Sequence, residues 1–284
     1  LTIAGNHEKA FEAQKLYNYY NDLTSEIQLV GRIDGSSTVG HSTPFGVFVD
    51  IRHTKEIERE SGGFSKYLTN QKNSSYAYNY GRPTQNYRDK FEETSRSSLS
   101  EHFDVISITF HDSKVSSKGA GQEGWRSTPY AYILLKALTP EVDKVPSIQI
   151  DLDFLDTGGF VILPIATAQI PIDATPILGE PRPTENLKIV QIVDEREADQ
   201  GILKVEVKAT SNGLVPELDQ LLKPSLDNFL RTELSGGEIS ISKLDAESKK
   251  GSPISERNWI LTFTKSENES TGPDLNFIFP EPII

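Results

Sequence analysis

A stretch of alternating apolar and polar residues between Ser147 and Ala166 constrains the fold more than any other part of the chain. Apolar and polar residues alternate along it: Ile148, Ile150, Leu152 and Phe154 are separated by Gln149, Asp151 and Asp153. This period of two is typical of a half-buried strand. Turn-forming residues follow at Asp156–Gly159, and a more continuously apolar run covers Phe160–Ile165. The stretch therefore predicts an antiparallel hairpin within a β-rich domain.

Most of the other patterned segments also predict strands. Before the hairpin the strands are Ser25–Ile33, Phe45–His53, Phe103–Phe110 and Pro129–Leu138, with helices at Asn6–Leu23 and Asn86–Glu101. After it the strands are Leu187–Asp194, Gly201–Ala209, Gly237–Leu244, Trp259–Lys265 and Leu275–Phe279, with a short helix at Leu214–Leu222. Strands that follow one another without helices favour antiparallel pairing over a parallel, doubly wound sheet.

A proline-containing stretch at Ile172–Asn186 predicts a semi-rigid linker. A chain of 284 residues exceeds the usual size of one domain. We therefore expect a β-sandwich with an N-terminal helix and helical insertions over residues 1–171, and an immunoglobulin-like β-sandwich over residues 187–284. The expected fold class is mainly β, with two antiparallel sandwich domains. Cysteine is absent, so the disulfide of the immunoglobulin family is missing.

The composition excludes several classes of partner and chemistry. A net charge of −12 argues against nucleic acid and against an anionic membrane surface. No apolar run approaches the roughly 20 residues that a membrane-spanning helix needs. Without cysteine there is no thiol nucleophile and no cysteine-bound zinc. The chain begins with Leu1 and contains no methionine, from which we expect a processed or cut part of a larger protein. The absence of cysteine fits the cytosol and an extracytoplasmic location alike, and we expect the latter.

Three carboxylates near the hairpin turn, Asp151, Asp153 and Asp156, are the candidate metal ligands. Calcium binds several converging oxygen ligands, which carboxylates supply. The spacing departs from an EF-hand loop, since Leu155 and Ile162 stand where that loop needs oxygen ligands. Alternation also places Asp151 and Asp153 on the outward face of a strand. A solvated face is the simpler interpretation, and we expect no cofactor.

Aromatic side chains are the candidate binding residues: Trp125, Tyr130, Tyr76, Tyr78 and Tyr80. Exposed aromatic groups are common where proteins bind carbohydrates or other proteins. In the alternative interpretation Trp125 fills a core and the tyrosines line a sheet edge. The sequence leaves both possibilities open.

Catalytic motifs are missing from the sequence. There is no GxSxG nucleophile motif, and Gly119–Gly124 fits GxGxxG only by letters, because it precedes a strand instead of joining a strand to a helix. Carboxylates that converge only in three dimensions, as in some hydrolases, stay open. We expect a non-catalytic structural or protein–protein interaction segment of an exported or envelope-associated protein. It would contact a protein partner or neighbouring domains of its own chain; carbohydrate binding is the alternative function.

Overall fold

The computed structural model describes residues 8–54, 86–111, 118–121, 123–156, 159–222, 225, 228–245 and 252–266. Contacts divide the chain into two units, Leu1–Glu180 and Pro181–Ile284. The described residues are mainly in strands, and the sheet pairings are antiparallel, which confirms the expected β-rich class. None of the described helices is both long and apolar enough to cross a membrane.

A mixed-length antiparallel sheet forms the centre of unit 1. Its strands are β1 (Ile27–Ile33), β2 (Phe45–Thr54), β3 (Phe103–Phe110), β4 (Lys118–Gly119) and β5 (Trp125–Ala137). Among its described residues, unit 1 has the helices α1 (Glu8–Ser25) and α2 (Tyr87–Leu99). The strand order is β1-β2-β5-β3, and β4 pairs with the beginning of β5. This order leaves β1 at one edge of the sheet.

The two central strands, β2 and β5, are buried over much of their length because both carry long apolar runs. Val47 pairs with Ile133, and both side chains are fully buried in the core of unit 1. On the opposite face, the Tyr132 ring lies directly over Gly46, where an added Cβ would overlap the Tyr132 hydroxyl. Only glycine at position 46 leaves room for this ring.

The predicted hairpin is confirmed as strands β7 (Gln149–Asp156) and β8 (Gly159–Ala166). Its register runs from Gln149 opposite Ala166 to Asp156 opposite Gly159. The apolar alternation seen in the sequence faces the core of unit 1: Ile148, Ile150, Leu152, Leu163 and Ile165 are buried there. A second, two-stranded sheet pairs β6 (Lys144–Val145) with β9 (Ile170–Pro171).

The first part of the expected linker, Ile172–Asn186, is hydrogen-bonded to residues 37–42 of unit 1. The bonds run from Asp173 N to Ser37 O (2.9 Å), His41 N to Pro176 O (3.0 Å), Ser42 N to Ile177 O (2.9 Å) and Glu180 N to Thr38 O (3.0 Å). The prolines restrict the backbone conformations of this stretch, and the hydrogen bonds above attach its first part to the rest of unit 1. The expected domain limits themselves stay a prediction.

The described residues of unit 2 form an antiparallel sheet of five strands. They are β10 (Thr184–Asp194), β11 (Ile202–Gly213), β12 (Phe229–Gly236), β13 (Ser240–Leu244) and β14 (Pro253–Lys265). The order is β10-β11-β14-β12, and β13 also pairs with β14. A turn of 3₁₀ helix (Ala198–Gln200) and the short helix α3 (Leu218–Leu221) lie between strands.

One face of the unit 2 sheet is buried. Alternate residues of β11 and β14 form its core with α3: Leu203, Val205, Val207 and Ala209 meet Trp259, Leu261 and Phe263. The sequence did not predict β12, whose side chains are almost all exposed and which therefore has little apolar alternation. The strand predicted at Leu275–Phe279 lies outside the described residues.

Candidate functional site

The structure places the candidate metal ligand Asp151 in an ion pair. A carboxylate oxygen of Asp151 lies 2.7 Å from Nζ of Lys90 on α2, and Gln149 Nε2 donates to the same carboxylate at 2.8 Å. Burial raises the pKa of the Asp151 carboxyl, but the hydrogen bonds from Lys90 and Gln149 and the charge of Lys90 outweigh this effect and lower it. Asp151 is therefore held as a carboxylate by an adjacent helix.

The other two candidate ligands, Asp153 and Asp156, belong to β7, where their backbones pair with Ile162 and Gly159 of β8. Their side-chain positions are outside what the structure describes. Among the described residues, no group of three or more histidine or acidic side chains could hold a metal ion.

The aromatic candidates do not share one described surface. Tyr130 is 1 % exposed, and its ring packs against Phe91 and Phe110 at centroid distances of 5.1 and 5.5 Å. Burial raises the pKa of Tyr130 above its ordinary range, against the lowering effect of Arg88. Tyr130, which the sequence predicted as a binding residue at the surface, therefore lies in the core.

Trp125 is half-buried at the beginning of β5, where the Arg52 guanidinium carbon lies 5.9 Å from the ring centroid. This arrangement is at the outer limit of a cation–π contact. Tyr76, Tyr78 and Tyr80 lie outside the described residues. Trp125 is thus the one aromatic candidate that the structure places within reach of solvent.

A groove of about 510 Å³ lies between β1 and β8 in unit 1. Consecutive residues line it on both sides: Ile27–Gly31 from β1, and Pro164–Ala166 followed by Ala168–Pro171 from β8 and beyond. Consecutive strand residues point to opposite faces of a sheet. A groove that contacts them all must therefore run along the edges of the strands.

The edge of β1 that borders this groove has unpaired backbone groups. Hydrogen bonds from Thr54 N to Glu26 O (3.1 Å) and from Asp34 N to Gly46 O (2.9 Å) fix which residues of β1 bond to β2. Because bonded and non-bonded pairs alternate in an antiparallel ladder, the N–H and C=O groups of Ile27, Leu29 and Gly31 point away from β2. In the part of the chain that the structure describes, these groups have no hydrogen-bond partner, but Ile27 and Leu29 are only 2 % and 4 % exposed.

The edge of β8 across the groove is similar but poorer in donors. Thr167 N donates to Ile148 O at 2.9 Å, so Ala166 and Pro164 belong to the non-bonded pairs of the hairpin ladder. Proline has no N–H, so Pro164 offers only a carbonyl. The richer hydrogen-bonding edge therefore belongs to β1.

The two walls touch at one end of the groove, at Gly31. A Cβ at Gly31 would lie 2.8 Å from Cδ1 of Ile170 and 3.3 Å from Cγ2 of Thr167. The backbone of β1 thus approaches the chain beyond β8 closely at this point. The space along the strand edge lies toward Ile27 and Thr24, the lining residues at the other end.

The groove is suited to binding, because its described lining residues include few reactive side chains. The described lining residues carry no charge, and the lone hydroxyl among them, that of Thr24, donates to Asn21 O at 2.8 Å. Its volume falls within the range of ordinary ligand pockets. It offers apolar surface together with backbone donors and acceptors.

Sequence reasoning predicted both strands that border the groove but not the groove itself. Alternation shows that β1 and β8 are strands, whereas edge position depends on which strands pair, and no local signal carries that information. Comparison of the sequence with protein-family models and with curated proteins gives no match.

Proposed function

We propose that this chain is a non-catalytic protein-interaction segment of a larger exported or envelope-associated protein, and that the groove between β1 and β8 binds a polypeptide. The observation that carries the proposal is the groove of about 510 Å³, whose described lining residues are uncharged and mostly apolar. Protein domains commonly bind peptide segments in apolar grooves of this kind.

The groove favours a polypeptide over a carbohydrate. Carbohydrate binding was expected to use exposed aromatic rings, yet Tyr130 is buried and the described lining residues of the groove include no aromatic side chain. The uncharged lining gives no general acid or base, which agrees with a role in binding and not in catalysis.

The location and architecture remain parts of the same proposal. The absence of cysteine suits a protein exposed to an oxidising compartment, where unpaired thiols would react. The strand patterning supports two immunoglobulin-like sandwich domains.

The test is a selection of random peptides of about 12 residues on the immobilised full chain, with a glycan array in parallel. We expect retained peptides whose affinity falls by about tenfold or more in Ala168→Trp, which fills the groove. The matched control is Ala13→Trp on the exposed side of α1, which should leave affinity unchanged. Absence of retained peptides, or equal binding by both variants, would contradict the proposal. Glycan binding would favour the carbohydrate alternative.

A further inference from the structure

We infer that β10, an edge strand of unit 2, pairs with β10 of a second copy of this chain, antiparallel and in a register centred on Gln191. The pairing would join the two five-stranded sheets into one continuous sheet. It involves unit 2 and stands independently of the groove in unit 1.

The outer edge of β10 is accessible to a partner. Among the described residues, β10 pairs with β11 alone. Ile189, Gln191 and Val193 are each partly exposed. Val190 and Ile192, which point away from the core of unit 2, are 54 % and 55 % exposed. A second backbone can therefore reach this edge.

The hydrogen-bond phase of the sheet determines which backbone groups of β10 face outward. Lys265 N donates to Gly201 O at 2.8 Å, so odd-numbered residues of β11 bond to β14 and even-numbered ones bond to β10. Even-numbered residues of β10 lie opposite them and take up these bonds. The N–H and C=O groups of Ile189, Gln191 and Val193 consequently point outward, and no described residue bonds to them.

The middle of β10 lacks the features that usually keep edge strands apart. Natural edges are commonly protected by charged residues, prolines or β-bulges. At the other side of the sheet, β12 carries Arg231 and Glu233 with a register irregularity between them. The segment of β10 from Ile189 to Val193 contains no charged residue, no proline and no irregularity. It is therefore an edge that can accept another strand.

Two copies of this segment fit one another when the register is centred on Gln191. Ile189 then lies opposite Val193 of the second copy, and Gln191 lies opposite itself. All of these residues direct their backbone groups outward, so each pair can form two hydrogen bonds. Val190 lies opposite Ile192 in the intervening pair, and cross-strand apolar pairs of this kind stabilise a sheet.

Charged residues at the two ends of the segment favour this register and a second copy as the occupant. Lys188 lies opposite Asp194 of the other copy, so opposite charges meet at both ends. Asp194 also pairs with Arg196 of its own chain. Moving the centre by one residue would place Lys188 opposite Ile192, or Asp194 opposite Val190. Both neighbouring registers therefore pair a charge with an apolar side chain.

The expected dimer is weak. The paired segment is short, so the interface is smaller than that of stable complexes. The net charge of −12 opposes association, although physiological salt screens charges that are more than about 8 Å apart. We expect a Kd on the order of 10–100 µM.

Sedimentation equilibrium of the full chain, from about 1 to about 300 µM, tests the inference. Ile192→Lys places a cation opposite Val190 and should raise the Kd by about tenfold or more. The matched control is Ile260→Lys, on the same face of the sheet but on the central strand β14, which should leave the Kd unchanged. A monomer throughout, equal effects of both substitutions, or growth beyond the dimer would overturn the inference.

Exchanging the terminal charges tests the register. Lys188→Glu alone and Asp194→Lys alone should each raise the Kd by about threefold or more, because like charges then face one another. The two substitutions together should restore association. A double variant no tighter than the single ones would overturn the proposed register.

Residue-resolved amide exchange locates the interface. Raising the protein concentration should slow exchange at Ile189, Gln191 and Val193, whose N–H groups become bonded. Exchange at Val190 and Ile192, already bonded to β11, should not change. Protection that appears elsewhere and not at the outward groups would assign the dimer to another surface and overturn the inference.

Discussion

Nζ of Lys90 on α2 lies 2.7 Å from a carboxylate oxygen of Asp151 on β7. The pair joins the helix to the hairpin, and its side chains are 33 % and 20 % exposed. Gln149 donates a further hydrogen bond to the same carboxylate. The alternation in the sequence correctly places Asp151 on the side of β7 opposite its apolar face. Lys90 of α2 contacts Asp151 there, so the carboxylate is only partly exposed to water.

Replacing Lys90 by methionine should therefore destabilise the protein. The substitution keeps most of the side-chain volume but leaves a partly buried carboxylate without its ion pair, which costs about 1 kcal/mol of unfolding free energy. Urea denaturation measures the change. Lys208→Met is the matched control, because Lys208 and Glu256 are 3.5 Å apart and more exposed; its effect should stay within about 0.5 kcal/mol. Equal losses in both variants would contradict the structural role of Lys90.

The same ion pair predicts a pH dependence. The folded state lowers the pKa of Asp151, so the carboxylate contributes stability that is present above the unfolded pKa of about 3.9. This contribution disappears as the pH falls through the lower pKa of the folded state. The difference in unfolding free energy between the wild type and Asp151→Asn should therefore shrink as the pH falls from neutrality through this window. A difference that grows in acid would show that the sign is wrong.

The hairpin was predictable because the information for it is local. Alternation from Ile148 to Phe154 and the glycines of the turn specify two paired strands without reference to the rest of the chain. The groove depends on the partner choice of β1, which is decided by packing between distant segments. Tyr130 was mispredicted for the same reason. An aromatic ring in a strand can face either the solvent or the core, and contacts with distant residues such as Phe91 determine which.

Asp50 should show the opposite pH behaviour to Asp151. Burial raises the pKa of the Asp50 carboxyl more than Arg32, with Nε 3.5 Å from the carboxylate, lowers it. A raised pKa in the folded state contributes stability below the unfolded pKa that is lost as the pH rises through the folded value. Asp50→Asn should therefore gain stability relative to the wild type as the pH rises from about 3 toward neutrality. Parallel pH profiles of the two proteins, measured by thermal unfolding, would contradict this prediction.

Gly46 should be the least replaceable of the described glycines in the unit 1 sheet. A Cβ at position 46 would overlap the hydroxyl and ring of Tyr132, which is fully buried and donates to Asp34 Oδ2 at 2.9 Å. The ring cannot move away without losing this buried hydrogen bond, so Gly46→Ala should cost about 1–3 kcal/mol of unfolding free energy. Gly119→Ala on β4 is the control, because no described residue has an atom within 4 Å of the added Cβ. Its unfolding free energy should change by less than about 0.5 kcal/mol. If chemical denaturation shows the two substitutions to be equally tolerated, Tyr132 does not pack over Gly46 in solution.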